Sequence, residues 1–190
     1  MKRIVILASG SGSNAENIIH YFKENDSVEV AAVLTNNKLA KVLERCERLS
    51  VPAFFFNREA FSRSDSVIGL LKSLNPDLIV LAGFLWKIPL SLVDAFPNTI
   101  INIHPALLPK YGGKGMYGAR VHEAVKKHSE PETGITIHYI NENYDEGAII
   151  FQAKIDVLPT DSVDDIADKV HQLEYEHFPK IIKKLLQDGQ

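Results

Sequence analysis

Short apolar runs alternate with helical patterns over the first hundred residues, and this alternation limits the chain to few folds. Helical patterns at Leu39 to Leu49 and Ser64 to Leu74 separate consecutive apolar runs. Strands joined through helices pair in parallel, because a crossover returns the chain to the same edge of the sheet. The sequence therefore predicts an α/β fold with an open, twisted, Rossmann-like, mostly parallel sheet flanked by helices. The predicted strands are rich in β-branched or aromatic residues and cover 4–8, 28–34, 53–56 and 77–82.

The second half of the chain carries a different strand signal. Polar and apolar residues alternate from Thr133 to Ile140, an acidic turn follows at 141–147, and Ala148 to Val157 again resembles a strand. Two strands joined by a short turn pair antiparallel. We expect a late antiparallel pair beside the parallel strands.

A long C-terminal helix is predicted after Thr160 or Asp161, which can cap it. Apolar residues recur at helical spacing from Val163 to Leu173, and Pro179 predicts a kink or a new start. No linker or repeat interrupts the pattern, so residues 1–190 are expected to form a single domain.

Composition narrows the classes of function. Of 190 residues, 45% are hydrophobic and 24% charged, with a net charge of −3 and dispersed basic residues, which argues against a nucleic-acid partner. The one cysteine, Cys46, cannot form an intramolecular disulfide, which fits a reducing compartment. The N-terminal apolar run is too short for a signal or membrane segment, and the histidines lack zinc-site spacing. We expect a cytoplasmic protein without a metal or a membrane partner.

A glycine-rich turn follows the first strand. Residues Ser9 to Asn14 read Ser-Gly-Ser-Gly-Ser-Asn and lead into a helix. Free backbone N–H groups at the positive end of a helix bind phosphate, and small residues let the phosphate approach. The turn is neither a Walker A loop nor the dinucleotide fingerprint. It predicts either a phosphate site or a simple helix-capping turn.

The segment from Asn102 to Pro109 carries the clearest chemical signal. In an extended segment Asn102 and His104 point to the same side, which places an amide donor beside a titratable imidazole. This pair suits a developing oxyanion, and Asp145 in the acidic turn could orient the imidazole and favour its protonated form. The alternative is that these are turn formers or hydrogen-bonded structural residues.

Two loops could complete a ligand cavity. The apolar loop 83–89 follows the fourth predicted strand, where open α/β sheets bind ligands, although such a loop can also simply cover the core. The loop 112–118 holds four glycines in seven residues and has the freedom to close over a ligand.

Together these motifs resemble the folate-dependent phosphoribosylglycinamide formyltransferases of purine synthesis. The resemblance rests on Ser-Gly-Ser-Gly-Ser-Asn at 9–14, Leu-Ala-Gly-Phe at 81–84, Asn-Ile-His-Pro-Ala-Leu-Leu-Pro at 102–109 and Asp-Glu-Gly at 145–147, in that order. It implies transfer of a formyl group from 10-formyltetrahydrofolate, as co-substrate and without a metal, to the amine of phosphoribosylglycinamide through a tetrahedral intermediate. Asn102, His104 and Asp145 would be the catalytic residues.

The resemblance also implies the binding residues. Gly12, Ser13 and Asn14 would bind the substrate phosphate, Glu174 the ribose, and Lys169 lies in the same substrate-binding stretch. Residues 1–100 would form a phosphate-binding half and 101–190 a catalytic and folate-binding half, in a monomer or a homodimer acting on small molecules. His138 either helps to shape the cavity or is a satisfied strand histidine. The implied folate-binding residues are Arg58, Leu85, Trp86, Lys87, Ile88, Asn102, Asn141, Glu142, Asn143, Tyr144 and Asp145.

The chain departs from the family pattern at Trp86 and Lys87, where an arginine is common, so the folate contacts there are open. Three alternatives remain. A formyltetrahydrofolate deformylase would carry an extra N-terminal domain, and a methionyl-tRNA formyltransferase an extra C-terminal one. A non-catalytic nucleotide-binding module would explain the glycine-rich turn but not Asn102, His104 and Asp145 together.

Overall fold

A computed structural model describes residues 1–188, and in these residues a seven-stranded sheet has the order β3-β2-β1-β4-β5-β6-β7. The strands β1 to β5 pair in parallel, whereas β6 is antiparallel to both β5 and β7. The predicted fold class is confirmed, and the antiparallel part includes the β5–β6 pairing as well. The strands are β1 Lys2–Leu7, β2 Val28–Thr35, β3 Ala53–Phe55, β4 Leu78–Leu81, β5 Ile100–His104, β6 Glu132–Tyr139 and β7 Ile149–Asp156.

The helices differ from the predicted ones mainly in the residues at which they begin, and two short helices were not predicted. The second helix begins at Val42 rather than Leu39, and the predicted helix from Ser64 begins at Ser66. The unpredicted α3 and α5 have five and six residues, too few turns to give an apolar period. The helices are α1 Ser13–Phe22, α2 Val42–Leu49, α3 Arg58–Ser62, α4 Ser66–Leu74, α5 Leu90–Ala95, α6 Ala119–Lys127 and α7 Val163–Asp188.

Of the two outcomes predicted at Pro179, a kink or a new start, the new start is wrong, because α7 continues through this residue. A proline inside a helix leaves the carbonyl four residues earlier without its donor, here the carbonyl of Tyr175. The side-chain amide of Asn17 on α1 donates to that carbonyl at 3.0 Å. Packing against α1 thus supplies the lost hydrogen bond. No helix within residues 1–188 combines the length and the apolarity needed to cross a bilayer.

Both faces of the sheet are covered, which explains the unbroken apolar run of β1. Ile4 and Ile6 belong to a core shared with α1, α2 and α7, whereas Val5 and Leu7 belong to a second core shared with α3, α4 and α5. Between β1 and β4 the strand order reverses, since β2 and β3 lie on one side and β4 and β5 on the other. Ligands bind at such a switch point, beyond the carboxyl ends of the strands.

Candidate active site

A cavity of about 570 Å³ lies at the carboxyl ends of β1, β4 and β5. This volume is in the range of small-molecule sites. The glycine-rich turn, the loop after β4 and the segment after β5 meet here because their strands are neighbours in the sheet. The walls are formed by 10–14, 81–88, 102–105, 113–118, Ile140, Asn141, 143–145, Arg120, His122, His171 and Glu174.

His104 and Asp145 face each other across the cavity floor. Nδ1 of His104 lies 3.7 Å from Oδ2 of Asp145, and Nε2 of the same ring donates to the carbonyl of Tyr111 at 2.7 Å. Asp145 has a left-handed backbone with φ 56°, and the backbone N–H of Gly113 donates to its Oδ2 at 2.9 Å. The imidazole and the carboxylate are thus close enough for an electrostatic interaction, although 3.7 Å is longer than a hydrogen bond.

Asn102 is held by the histidine on the neighbouring strand. The antiparallel register sets Asn102 opposite His138, and Nδ2 of Asn102 lies 3.2 Å from Nε2 of His138. Nδ1 of His138 donates to the carbonyl of Tyr139 at 3.0 Å, so Nε2 of the neutral ring accepts from Asn102. His138 is fully buried and lies behind the cavity wall. It orients the amide and leaves the second N–H of Asn102 for a ligand.

Burial controls the charge of both histidines. Burial lowers the pKa of His104 more than the Asp145 carboxylate and the Tyr111 carbonyl raise it. The pKa of His138 is lowered as well, again chiefly by burial. Asp145 acts in the expected direction, because its carboxylate raises the pKa of His104 and so favours the protonated ring, but desolvation of the charged ring is the larger effect.

The glycine-rich turn has the geometry of an anion site. Gly12 has a left-handed backbone with φ 73° immediately before α1, and a Cβ there would lie 2.3 Å from Cγ2 of Val42. Only glycine allows this close approach, no side chain within residues 1–188 caps the start of α1, and the first residues of the helix, Ser13 and Asn14, line the cavity. Nε of Arg45 donates to the carbonyl of Ser11 at 2.7 Å and braces the turn from α2.

Glu174 closes this end of the cavity from α7. Nδ2 of Asn14 donates to its Oε2 at 2.8 Å, and burial raises the pKa of the Glu174 carboxyl. His171, one helical turn earlier, also lines the cavity. Lys169 does not, since its Nζ contacts Oδ2 of Asp161 at 2.5 Å and the carbonyl of Asp156 at 3.2 Å.

The opposite end of the cavity is apolar and aromatic. Trp86 packs against Phe61 and Phe84, with ring centroids 5.7 and 6.5 Å away. The guanidinium of Arg58 lies 4.4 Å from the Trp86 centroid, and Nζ of Lys87 lies 5.5 Å from the ring of Tyr144. This wall suits a flat aromatic ligand.

The family model of formyl transferases matches residues 2–182. The chain belongs to the formyl transferase family.

Individual relatives and solved structures agree with this assignment. The chain is 37% identical over 188 residues to a phosphoribosylglycinamide formyltransferase of Haemophilus influenzae, covering 96% of this chain and 86% of the relative. It is 38% identical over 193 residues to the enzyme of that name from Bacillus subtilis, covering 98% and 95%. The phosphoribosylglycinamide formyltransferase structure from Bacillus halodurans has a TM-score of 0.88 at 33% identity, covering 100% of this chain and 97% of that one.

Most of the residues that the family resemblance implied lie in one cavity wall. The structure brings together the three catalytic candidates, the glycine-rich turn, Glu174 and the segment 85–88. Three implied binding residues are not among the wall residues: Arg58, which stacks behind Trp86, Glu142 and Lys169.

Sequence reasoning missed several groups at the site, and Arg120 in the cavity wall is one of them. His122 and His171 line the cavity, and the backbone carbonyl of Tyr111 binds His104. His171 could have been found, because it stands three residues before Glu174 and therefore on the same face of a helix. His122 and the Tyr111 carbonyl leave no comparable signal in the sequence.

Proposed function

We propose that this chain transfers the formyl group of 10-formyltetrahydrofolate to the amino group of phosphoribosylglycinamide. The observation that carries the proposal is the convergence of Asn102, His104 and Asp145 in a cavity that also contains a helix N-terminal anion turn. A phosphorylated amine and a flat folate would approach the catalytic groups from opposite ends. Membership of the family and the names of its relatives support the same reaction.

The substrates would bind according to the charge and polarity of the walls. Gly12, Ser13 and Asn14 would hold the phosphate at the start of α1, and Glu174 would accept hydrogen bonds from the ribose. We assign the folate to the apolar end. Its wall residues are Leu85, Trp86, Lys87, Ile88, Asn141, Asn143, Tyr144 and Asp145.

The reaction begins when the amine nitrogen attacks the formyl carbon and the carbonyl electrons move to oxygen. The free N–H of Asn102 would donate to this oxyanion. Because burial keeps His104 neutral, the ring can accept the proton that the attacking nitrogen loses. The resulting imidazolium, paired with Asp145, would add positive charge beside the oxyanion.

Collapse of the tetrahedral intermediate completes the transfer. The oxyanion re-forms the carbonyl, the bond to N10 of the folate breaks, and the His104 proton goes to N10. The products are the formylated amine and tetrahydrofolate, and His104 returns to its neutral form. Asp145 would hold the ring through both proton transfers and order a water that relays the proton.

We also propose that residues 1–190 act as one domain. In this proposal both halves of the chain contribute to each end of the cavity, so the phosphate-binding half and the catalytic and folate-binding half act together. Trp86 in the first half belongs to the folate end, and Glu174 in the second half belongs to the substrate end.

The test is absorbance-monitored turnover of 10-formyltetrahydrofolate with and without phosphoribosylglycinamide. We expect folate turnover only when the amine is present. Folate loss without the amine would contradict the proposal in favour of a hydrolase, and no folate loss with both substrates would contradict catalysis.

Variants of the catalytic residues sharpen this test. We expect His104→Ala and Asn102→Ala each to lower kcat by about 10²-fold or more, the scale of one lost oxyanion-stabilising group. His20→Ala is the matched control, because His20 is an exposed histidine of α1 outside the cavity wall. Near-normal turnover in either cavity variant would contradict its assigned role.

A further inference from the structure

One short segment, Lys110 to Gly113, contacts both members of the catalytic His–Asp pair. The carbonyl of Tyr111 accepts from Nε2 of His104 at 2.7 Å, and the N–H of Gly113 donates to Oδ2 of Asp145 at 2.9 Å. The position of this segment therefore sets the imidazole and the carboxylate relative to each other.

The segment is fixed from outside the cavity by the side chain of Tyr111. Its hydroxyl donates to Oε1 of Glu130 at 2.9 Å and lies 3.2 Å from Nδ1 of His128. The Tyr111 ring stacks on His128 at a centroid distance of 5.7 Å, and Nζ of Lys110 lies 3.1 Å from Oε2 of Glu130. We call Tyr111, Lys110, His128 and Glu130 the anchor.

The backbone of Tyr111 needs such support. Its φ of 56° lies in the left-handed region, which is disfavoured for a tyrosine. This conformation turns the Tyr111 carbonyl towards His104 while the side chain stays on the outside. Contacts with His128 and Glu130, at and just beyond the end of α6, offset the unfavourable backbone.

We propose that Tyr111 is a positioning residue: through the anchor it fixes the Nε2–H tautomer of His104 and makes Nδ1, which faces Asp145, the nitrogen that gains and loses the proton. A carbonyl oxygen can only accept, so Nε2 carries a hydrogen in both charge states of the ring. The other neutral tautomer would place a lone pair against an oxygen 2.7 Å away.

The distance on the other side of the ring agrees with this assignment. Nδ1 of His104 lies 3.7 Å from Oδ2 of Asp145, longer than a hydrogen bond, as expected when a bare nitrogen faces a carboxylate. Once Nδ1 is protonated, the carboxylate is the partner beside it. The anchor thereby directs the mobile proton to the Asp145 side of the ring. The kinetic consequence of this tautomer assignment rests on the proposed formyl transfer, whereas the tautomer itself does not depend on that function.

Nitrogen-15 NMR of ring-labelled histidine reads the tautomer directly. In the neutral ring of the wild-type protein we expect a protonated-type Nε2 shift and an unprotonated-type Nδ1 shift, widely separated. In Tyr111→Phe we expect the separation to shrink, because both tautomers become populated when the anchor loses its hydroxyl. The matched control is Tyr21→Phe, an exposed tyrosine of α1, which should keep the wild-type separation.

Steady-state kinetics provides the second reading. We expect Tyr111→Phe to lower kcat by about fivefold to tenfold, the scale of one net hydrogen bond, with KM for both substrates within about twofold. Glu130→Gln keeps an acceptor oxygen but loses the charge, so it should give smaller changes of the same sign in both readings.

The proposal would be overturned if Tyr111→Phe kept both the nitrogen-15 shifts and the kcat of the wild-type protein. Should Tyr111→Phe lose its fold, as judged by circular dichroism, Glu130→Gln decides by the same two readings. An absence of formyl transfer in the wild-type protein would refute the proposed function and leave the NMR reading to decide the tautomer.

Discussion

Acidification should destabilise the protein, and His122 should be one source of the loss. This histidine of α6 is 3% exposed, its Nδ1 is buried without a hydrogen-bond partner, and it is absent from the described ion pairs of residues 1–188. Burial, followed by the proximity of His171 and His104, lowers the pKa of its imidazole from 6.5 to about 4. The unfolded chain therefore binds a proton at this residue at a pH where the folded protein does not.

The sign and the size of the effect follow from proton linkage. A depressed pKa in the folded protein gives stability that is present above about pH 6.5 and is lost as the pH falls towards 4. From these two pKa values, the free energy of unfolding falls by about 1 kcal/mol at pH 6 and by about 2 kcal/mol at pH 5. Solvent in the cavity screens part of this cost, so we expect roughly 1 to 2 kcal/mol at pH 5.

Urea denaturation at pH 7.5 and pH 5 measures this loss. His122→Gln removes the titrating group but keeps a polar side chain, so the variant should lose less stability than the wild type by that amount. All other ionisable groups are the same in both proteins, so the comparison isolates the contribution of His122. His20→Gln, at an exposed position, should behave like the wild type. Equal losses in the wild type and in His122→Gln would refute the reasoning.

Three further changes test the site. Asp145→Asn removes a charge that raises the pKa of His104, so the acidic limb of the pH–rate profile should move to lower pH and kcat should fall by about 10²-fold. A variant with full activity and an unchanged acidic limb would contradict this role of Asp145. Gly12→Ala would force a Cβ to within 2.3 Å of a valine side chain, so we expect the free energy of unfolding, measured by urea denaturation, to fall by about 1 to 3 kcal/mol. Gly10→Ala is the control and should be nearly neutral, because the space around Gly10 is open. Trp86→Ala removes the aromatic surface at the proposed folate end, so it should raise the KM for folate about tenfold and leave the KM for the amine unchanged. An equal rise in the two KM values would argue against a folate-specific contact.

The sequence predicted those parts of the site that depend on short-range geometry. Asn102 and His104 alternate on one strand, so their common direction follows from the strand period alone. The glycine-rich turn was equally local, because its backbone geometry depends on residues directly before α1. Asp145 was a candidate because it is a carboxylate of the acidic turn, and the family motif at 145–147 supported it, but no local pattern could place it beside His104.

Other features depend on contacts between distant segments. Lys169 stands five residues before Glu174, about 140° around the helix, so it cannot share the face that lines the cavity. The sequence contained this information, but the implied role came from the family stretch and not from helical register. By contrast, the low pKa of His104 depends on burial, and the continuity of α7 through Pro179 depends on Asn17, a residue of another helix.

The hydrogen bond between Asn14 and Glu174 joins residues that are 160 positions apart. During synthesis, Asn14 of the glycine-rich turn is therefore made 160 residues before its carboxylate partner. A nascent chain therefore cannot complete this part of the cavity wall until α7 has emerged and docked on α1. For the same reason, detachment of α7 would remove Glu174 from the cavity even if the sheet and His104 stayed folded.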